Sequence, residues 1–122
     1  MTKELVPGGM YEHFKGNLYL AIDKGNTKDA HLSERPLIAR YCEDDSIEVR
    51  LFVGVDGFAI EGNIPEGEYV VYQQLYDAEK YKKYTRWIRP LEDFLSTKIV
   101  DSKEVERFKY VGHYNQPGTG CS

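Results

Sequence analysis

Few side chains in this sequence are spaced for covalent chemistry. His13 stands in the run MYEHFK, and a general base there would need a carboxylate partner and a reacting group within hydrogen-bond reach. Glu43 or Asp44 could serve as that partner, but no Ser/His/Asp constellation of recognisable spacing accompanies them. His31 falls in a polar stretch and His113 near the C-terminal end. Cys42 and Cys121 lie far apart and no CxxC occurs, so these residues do not outline a tetrahedral metal site. The glycines follow neither GxGxxG nor GxxxxGK[ST] spacing. The sequence therefore calls for no catalytic residue, no metal and no cofactor, and His13 and Cys42 read as structural.

Recognition chemistry is better supplied. Between Glu68 and Lys98, aromatic rings and arginines alternate on strand-length runs. Trp87 and Arg89 are two apart and share one strand face, as do Tyr72, Gln74 and Tyr76. Such faces suit stacking on a planar group and charge-assisted hydrogen bonds to an anion. The expected ligand-binding set is Trp87, Arg89, Arg40, Tyr72, Tyr76, Tyr11 and Arg86. The expected function is a non-catalytic recognition module for a small planar or anionic, nucleotide-like ligand or for a protein segment. The alternative is a protein–protein interaction domain, including a homo-oligomer formed through the 46–67 hairpin by edge pairing. A His-dependent enzyme is the least favoured reading.

The elements that must position these groups are short. Tyrosine supplies ten aromatic residues, against five Phe and one Trp. With Val and Ile these rings cluster in runs broken by Gly, Asp, Asn and Pro, a strand pattern. Strands are expected over Met10–Lys15, Leu18–Ile22, Leu37–Cys42, the two sides of Asp56-Gly57, Tyr69–Tyr76 and Thr85–Arg89. A last hairpin is expected over Ile99–Val111, turning within Asp101–Glu104. Asp56-Gly57 between alternating apolar runs predicts a type I′ turn. Asp23–Pro36 and Asp77–Tyr84 read as polar loops. Pro90 can open a helix, with Glu92 and Asp93 in its first turn, over about Pro90–Ser96. The expected core is Phe14, Leu18, Leu20, Ile38, Val71, Leu75, Ile88, Phe94 and Phe108. The fold class is mostly β: a small SH3-like, partly open barrel with an inserted β-hairpin and one short helix.

Composition sets the remaining bounds. At 122 residues the chain suits a single domain over 1–112 followed by a flexible tail over 113–122. No apolar stretch approaches the roughly 18 residues of a membrane span, and the first residues lack an apolar signal region, so a cytoplasmic protein without a membrane partner is expected. The net charge of −4 argues against phosphate-driven nucleic-acid binding.

Five ordered segments resemble a small bacterial and phage domain, domain-of-unknown-function family 1653. The opening Gly-x-Tyr-x-His-Phe-Lys-Gly pattern is similar to Gly9, Tyr11, His13, Phe14, Lys15 and Gly16. The middle segment is similar to Ile38, Ala39 and Arg40, with Tyr41 where the pattern has His. Val70, Val71, Tyr72, Leu75 and Tyr76 resemble the Val-Val-Tyr-Arg-x-Leu-Tyr segment, with Gln73 in the Arg position. Trp87, Arg89, Pro90 and Phe94 resemble Trp-x-Arg-Pro-x-x-x-Phe, and Arg107, Phe108, Tyr110 and Gly112 the closing pattern. Relative to that family, Asp23–Pro36 and about Ser46–Gly67 read as insertions. The resemblance implies a fold and no particular activity. For a phage source, sequestering a host signal or blocking a host protein would be a natural role.

Overall fold

A computed structural model of the protein describes residues 4–113. In chain order the elements are β1 (Gly9–His13), β2 (Leu18–Asn26), β3 (Leu37–Tyr41), β4 (Asp44–Gly54), β5 (Gly57–Glu61), β6 (Glu68–Gln74), β7 (Arg86–Pro90), α1 (Leu91–Phe94), β8 (Thr97–Val100), β9 (Lys103–Glu106) and β10 (Phe108–His113). The mostly β barrel with one short helix follows the sequence reading. His113, assigned to the tail, is the last residue of β10; 114–122, with Cys121, lie outside the described residues. No described helix is long and apolar enough to cross a membrane.

Six strands run in a circuit, β2-β5-β4-β3-β7-β6 and back to β2, so the barrel is closed rather than partly open. The long β2 makes closure possible. One side of it pairs with β6 along almost its whole length, with a bulge between Ala21 and Asp23. Its first residues pair with β1 (Met10 with Leu20) and its last with β5 (Gly25 with Phe58). The expected break at Ile22 does not occur, because a bulge bends a strand without ending it. β10 extends the sheet beyond β1, and β8 and β9 form a separate two-stranded ribbon.

Alternation along β6 divides the apolar residues between two cores. Tyr69 and Val71 point into the barrel with Ala39, Tyr41, Val49, Leu51, Ile60 and Ile88. Val70 and Tyr72 point outward, into a second core with Tyr11, Ala21, Phe94 and Phe108. There Phe94 of α1 stacks on Phe108 of β10, their ring centroids 4.2 Å apart. Of the expected core, Val71, Ile88, Phe94 and Phe108 are buried. Leu18 and Ile38 are exposed, while Phe14, Leu20 and Leu75 are half-buried. In β3 the inward side is taken by Ala39 and Tyr41, which turns Ile38 to solvent.

The hairpin at Asp56-Gly57 forms one residue earlier than expected. Gly54 pairs with Gly57 across a Val55-Asp56 loop. Of the loop and Gly57, only Gly57 has positive φ (90°), which fits a type I turn followed by a left-handed glycine rather than type I′. The Asp29 carboxylate accepts the backbone N–H of Asp56 at 2.8 Å and steadies this tip. The type I′ geometry lies instead at Asp101-Ser102, both at positive φ, between Val100 and Lys103.

Two stability predictions follow from these contacts. A Cβ on Gly57 would sit 2.3 Å from the Lys24 carbonyl oxygen at a left-handed φ, so Gly57→Ala should destabilise by about 2–3 kcal/mol in urea unfolding. Phe94→Ala empties the second core and should cost about 3–5 kcal/mol; an unchanged midpoint would mean that α1 is not packed on the barrel.

Candidate functional site

β6 and β7 lie side by side with Tyr72 opposite Trp87 and Val70 opposite Arg89. Trp87 and Arg89 therefore share the outward face with Tyr72 and Gln74, as their spacing predicts. The second core covers one part of this face. The uncovered part is a pocket of about 240 Å³, lined by Tyr19, Cys42, Tyr72, Gln74, Tyr76, Ala78, Tyr81, Trp87 and Arg89. It is not the largest cleft: one of about 570 Å³ runs past His13, Phe14 and Lys15 beneath the β8–β9 ribbon.

The pocket's far wall is the loop from Tyr76 to Thr85. Gln74, 2% exposed, ties it down. Its amide nitrogen donates to the carbonyls of Tyr76 and Tyr81, each at 3.2 Å, while its amide oxygen accepts the indole N–H of Trp87 at 2.7 Å. At the loop's base Tyr84 adopts φ 77°, a left-handed conformation that bulky residues rarely take. Its N–H donates to the Gln74 carbonyl at 2.9 Å, and the Gln74 N–H donates to the Thr85 carbonyl at 3.0 Å. Tyr81 stands edge-on to Trp87, and its hydroxyl donates to Asp45 at 2.7 Å.

Arg89 forms the inner corner. Its Nε donates to the Tyr72 hydroxyl at 3.3 Å, its Nη1 donates to Asp93 of α1, and its guanidinium lies 5.3 Å above the Phe108 ring. Arg107 reaches the other oxygen of Asp93 at 3.5 Å. Burial alone would lower the Arg89 pKa, but Tyr72, Cys42 and Asp93 beside it raise it above its ordinary value, so the group stays charged. Burial pushes the Cys42 thiol up to about 11, which keeps it protonated and poorly nucleophilic. Tyr19 and Tyr76 share a hydrogen bond at 2.6 Å between their hydroxyl oxygens. Burial and then this bond raise the Tyr19 pKa, so its hydroxyl keeps its proton.

Four of the seven expected site residues meet here: Tyr72, Tyr76, Trp87 and Arg89. Arg40 stands behind the wall, 5.2 Å over the Tyr81 ring, bonded to the Asp45 carbonyl and paired with Glu48. Tyr11 is buried in the second core, its hydroxyl accepting the Val6 N–H at 3.0 Å. Arg86 alternates to the face of Ile88, away from the pocket, and its Nε is buried without a partner. Gln74 could have been added from its shared face with Tyr72. Tyr19 was masked by placing Leu18 and Leu20 in the expected core, and Tyr81 sits in a loop without periodicity.

His13 does not meet Glu43 or Asp44. Glu43 accepts the Tyr41 hydroxyl proton and Asp44 bonds to Ser46. His13 Nδ1 accepts the Lys15 N–H at 3.2 Å, and its ring packs against Phe14 and Phe108. Among the described residues no group of three His, Cys, Asp or Glu side chains could hold a metal ion.

Burial, and then Arg89, Lys15, Arg107 and Lys98, lower the His13 pKa to about 4. Its folded pKa thus lies below the unfolded value near 6.5. The corresponding stability is present above about pH 6.5 and is lost as pH falls toward 4. His13→Gln should therefore flatten the fall in melting temperature across this window; equal slopes would mean that His13 is not held neutral. Removing Gln74 as Gln74→Leu takes their side-chain partner from the Trp87 N–H and the Tyr76 carbonyl, while the Tyr81 carbonyl keeps the Ala78 N–H. It should cost about 2–4 kcal/mol and speed amide exchange across the Tyr76–Thr85 loop. Arg89, whose side chain is 18% exposed, is also structural: Arg89→Ala should lower the melting temperature.

No curated protein and no solved structure matches the chain. A family model does match, over residues 60–110. This stretch runs from the end of β5 into β10 and supplies all of the pocket lining except Tyr19 and Cys42. Over residues 60–110 the chain is similar to the family described as "Protein of unknown function (DUF1653)".

Proposed function

We propose that this protein is a non-catalytic recognition module whose aromatic pocket receives one planar group, carried by a small molecule or by a protein segment. The observation that supports this reading is the uncovered outward face of β6 and β7, where Tyr72, Trp87 and Arg89 converge beside a loop held in place by Gln74. At about 240 Å³ the pocket lies below the roughly 300–1,000 Å³ of sites that engulf a drug-sized ligand. It suits a single ring or side chain. Tyr and Trp walls offer stacking area at low entropy cost.

Trp87 is the single tryptophan, so its emission reports on this pocket alone. Titration with adenosine monophosphate and with a proline-rich decapeptide should change the emission saturably for at least one of them. Tyr76→Ala should weaken that response while the far-UV spectrum stays unchanged. An emission that neither probe moves would remove the support for a ring-binding pocket.

A second reading, self-association, is favoured by another observation. Leu32, Leu37, Val53 and Val55 are exposed around the β4–β5 end of the barrel, and the Leu32 N–H donates to the Val53 carbonyl at 2.7 Å. Edge pairing by this hairpin has little room, because β4 already lies between β3 and β5, and β5 meets β2. Association would instead use these side chains. Light scattering should then give a dimer that Val53→Lys dissociates; a monomer at all concentrations would remove this reading.

A further inference from the structure

We infer that the group received by the aromatic pocket is anionic: a planar ring bearing a carboxylate or phosphate that docks on the free amino group of Arg89. This rests on the reading of the pocket as the binding site and narrows its ligand class. Three observations carry it.

The first is the lining. The chain has 20 Asp and Glu against 16 Lys and Arg, yet among the described residues no carboxylate lines this pocket. The clefts at His13, Tyr69, Ile38 and Leu91 each include acidic residues.

The second is hydrogen-bonding capacity. The polar ends of Gln74, the Trp87 N–H and the Tyr81 hydroxyl are engaged within the protein. Arg89 uses Nε and Nη1. Its Nη2 makes no hydrogen bond among the described residues and is not among their fully buried unpartnered atoms. Of the Tyr19 and Tyr76 hydroxyls, one proton fills their mutual bond and the other stays available. The unengaged N–H and O–H groups at the rim can thus donate to an acceptor-rich partner.

The third is charge. Arg89 and Arg107, both mostly buried, share the single carboxylate of Asp93. The cluster formed by these three side chains carries one positive charge more than it balances. Partial burial strengthens its attraction for an anion relative to a solvated arginine.

The test compares matched ligands on the unaltered protein. Orotate and uracil share a pyrimidine ring and differ by a carboxylate; uridine monophosphate and uridine differ by a phosphate. Dissociation constants would be read from Trp87 emission and from amide shifts around β6 and β7. The charged member of at least one pair should bind roughly ten- to a hundred-fold tighter, and added salt should weaken it. The two pairs distinguish a carboxylate from a phosphate. Arg89→Gln should abolish the difference within a pair. Asp93→Asn, which frees positive charge, should enlarge it, with dispersed amide spectra showing that both variants are folded. Equal affinity of charged and neutral members would overturn the anion inference and leave the ring pocket standing. No response to any of the four compounds would overturn both.

Discussion

Strand β6 is the wall on which the structure depends. Tyr69, Val70, Val71 and Tyr72 are all buried, which a strand can achieve only when both of its faces are covered. One face needs the barrel and the other needs α1, β10 and Tyr11. Each core therefore depends on the other through a single backbone. A polar group on either face of this strand would sit in an apolar interior without a partner. The one polar residue that does occur in the buried run, Gln74 at its end, has both ends of its amide bonded.

The second core is held electrostatically as well as by packing. Asp93 on α1 joins Arg89 on β7 to Arg107, just before β10, and Arg107 also donates to the Ser96 hydroxyl at 3.1 Å. A mostly buried ion pair is weak evidence for net stability, because desolvation offsets much of the attraction. Its clearer effect is placement. The shared carboxylate fixes where Arg89 points and therefore the inner corner of the pocket, while Phe108 fills the space beneath the guanidinium. Burial, and then the same cations, leave His13 uncharged, so that ring packs as an apolar body.

Much of this was legible from period-two spacing. It placed β6 and β7 and paired Trp87 with Arg89 on one face and Tyr72 with Gln74 on another, which the strand register then joins; the Pro90 helix came out shorter than expected but in place. The failures have local physical causes. In β2 the alternation of Leu18, Leu20 and Ile22 suggested one buried face, but the bulge after Ala21 and the presence of two cores gave both faces apolar neighbours. In β3 the larger Ile38 was preferred to Ala39, although the parity of Tyr41 decides which side faces the barrel. The Asp101-Ser102 turn carries no glycine, so its left-handed backbone leaves no compositional mark. Arg40 and Tyr11 have the right chemistry for the pocket, but other partners claim them: Asp45, Glu48 and Tyr81 hold Arg40, and Val6 and Phe94 hold Tyr11.

The pairing of β2 with β6 also bears on how the chain folds. Tyr19 lies opposite Gln74, and its hydroxyl meets that of Tyr76, 57 positions along the chain. Until this long loop closes, β6 has only its neighbour β7 and neither core can form around it. The entropy of that closure must be met before burial returns any stability. Folding should therefore be slow for a protein of this size, on the order of milliseconds to seconds. In the interval β6, with its run of four consecutive residues that the folded protein buries, would stand exposed to other chains, which makes this wall a segment in need of protection during synthesis.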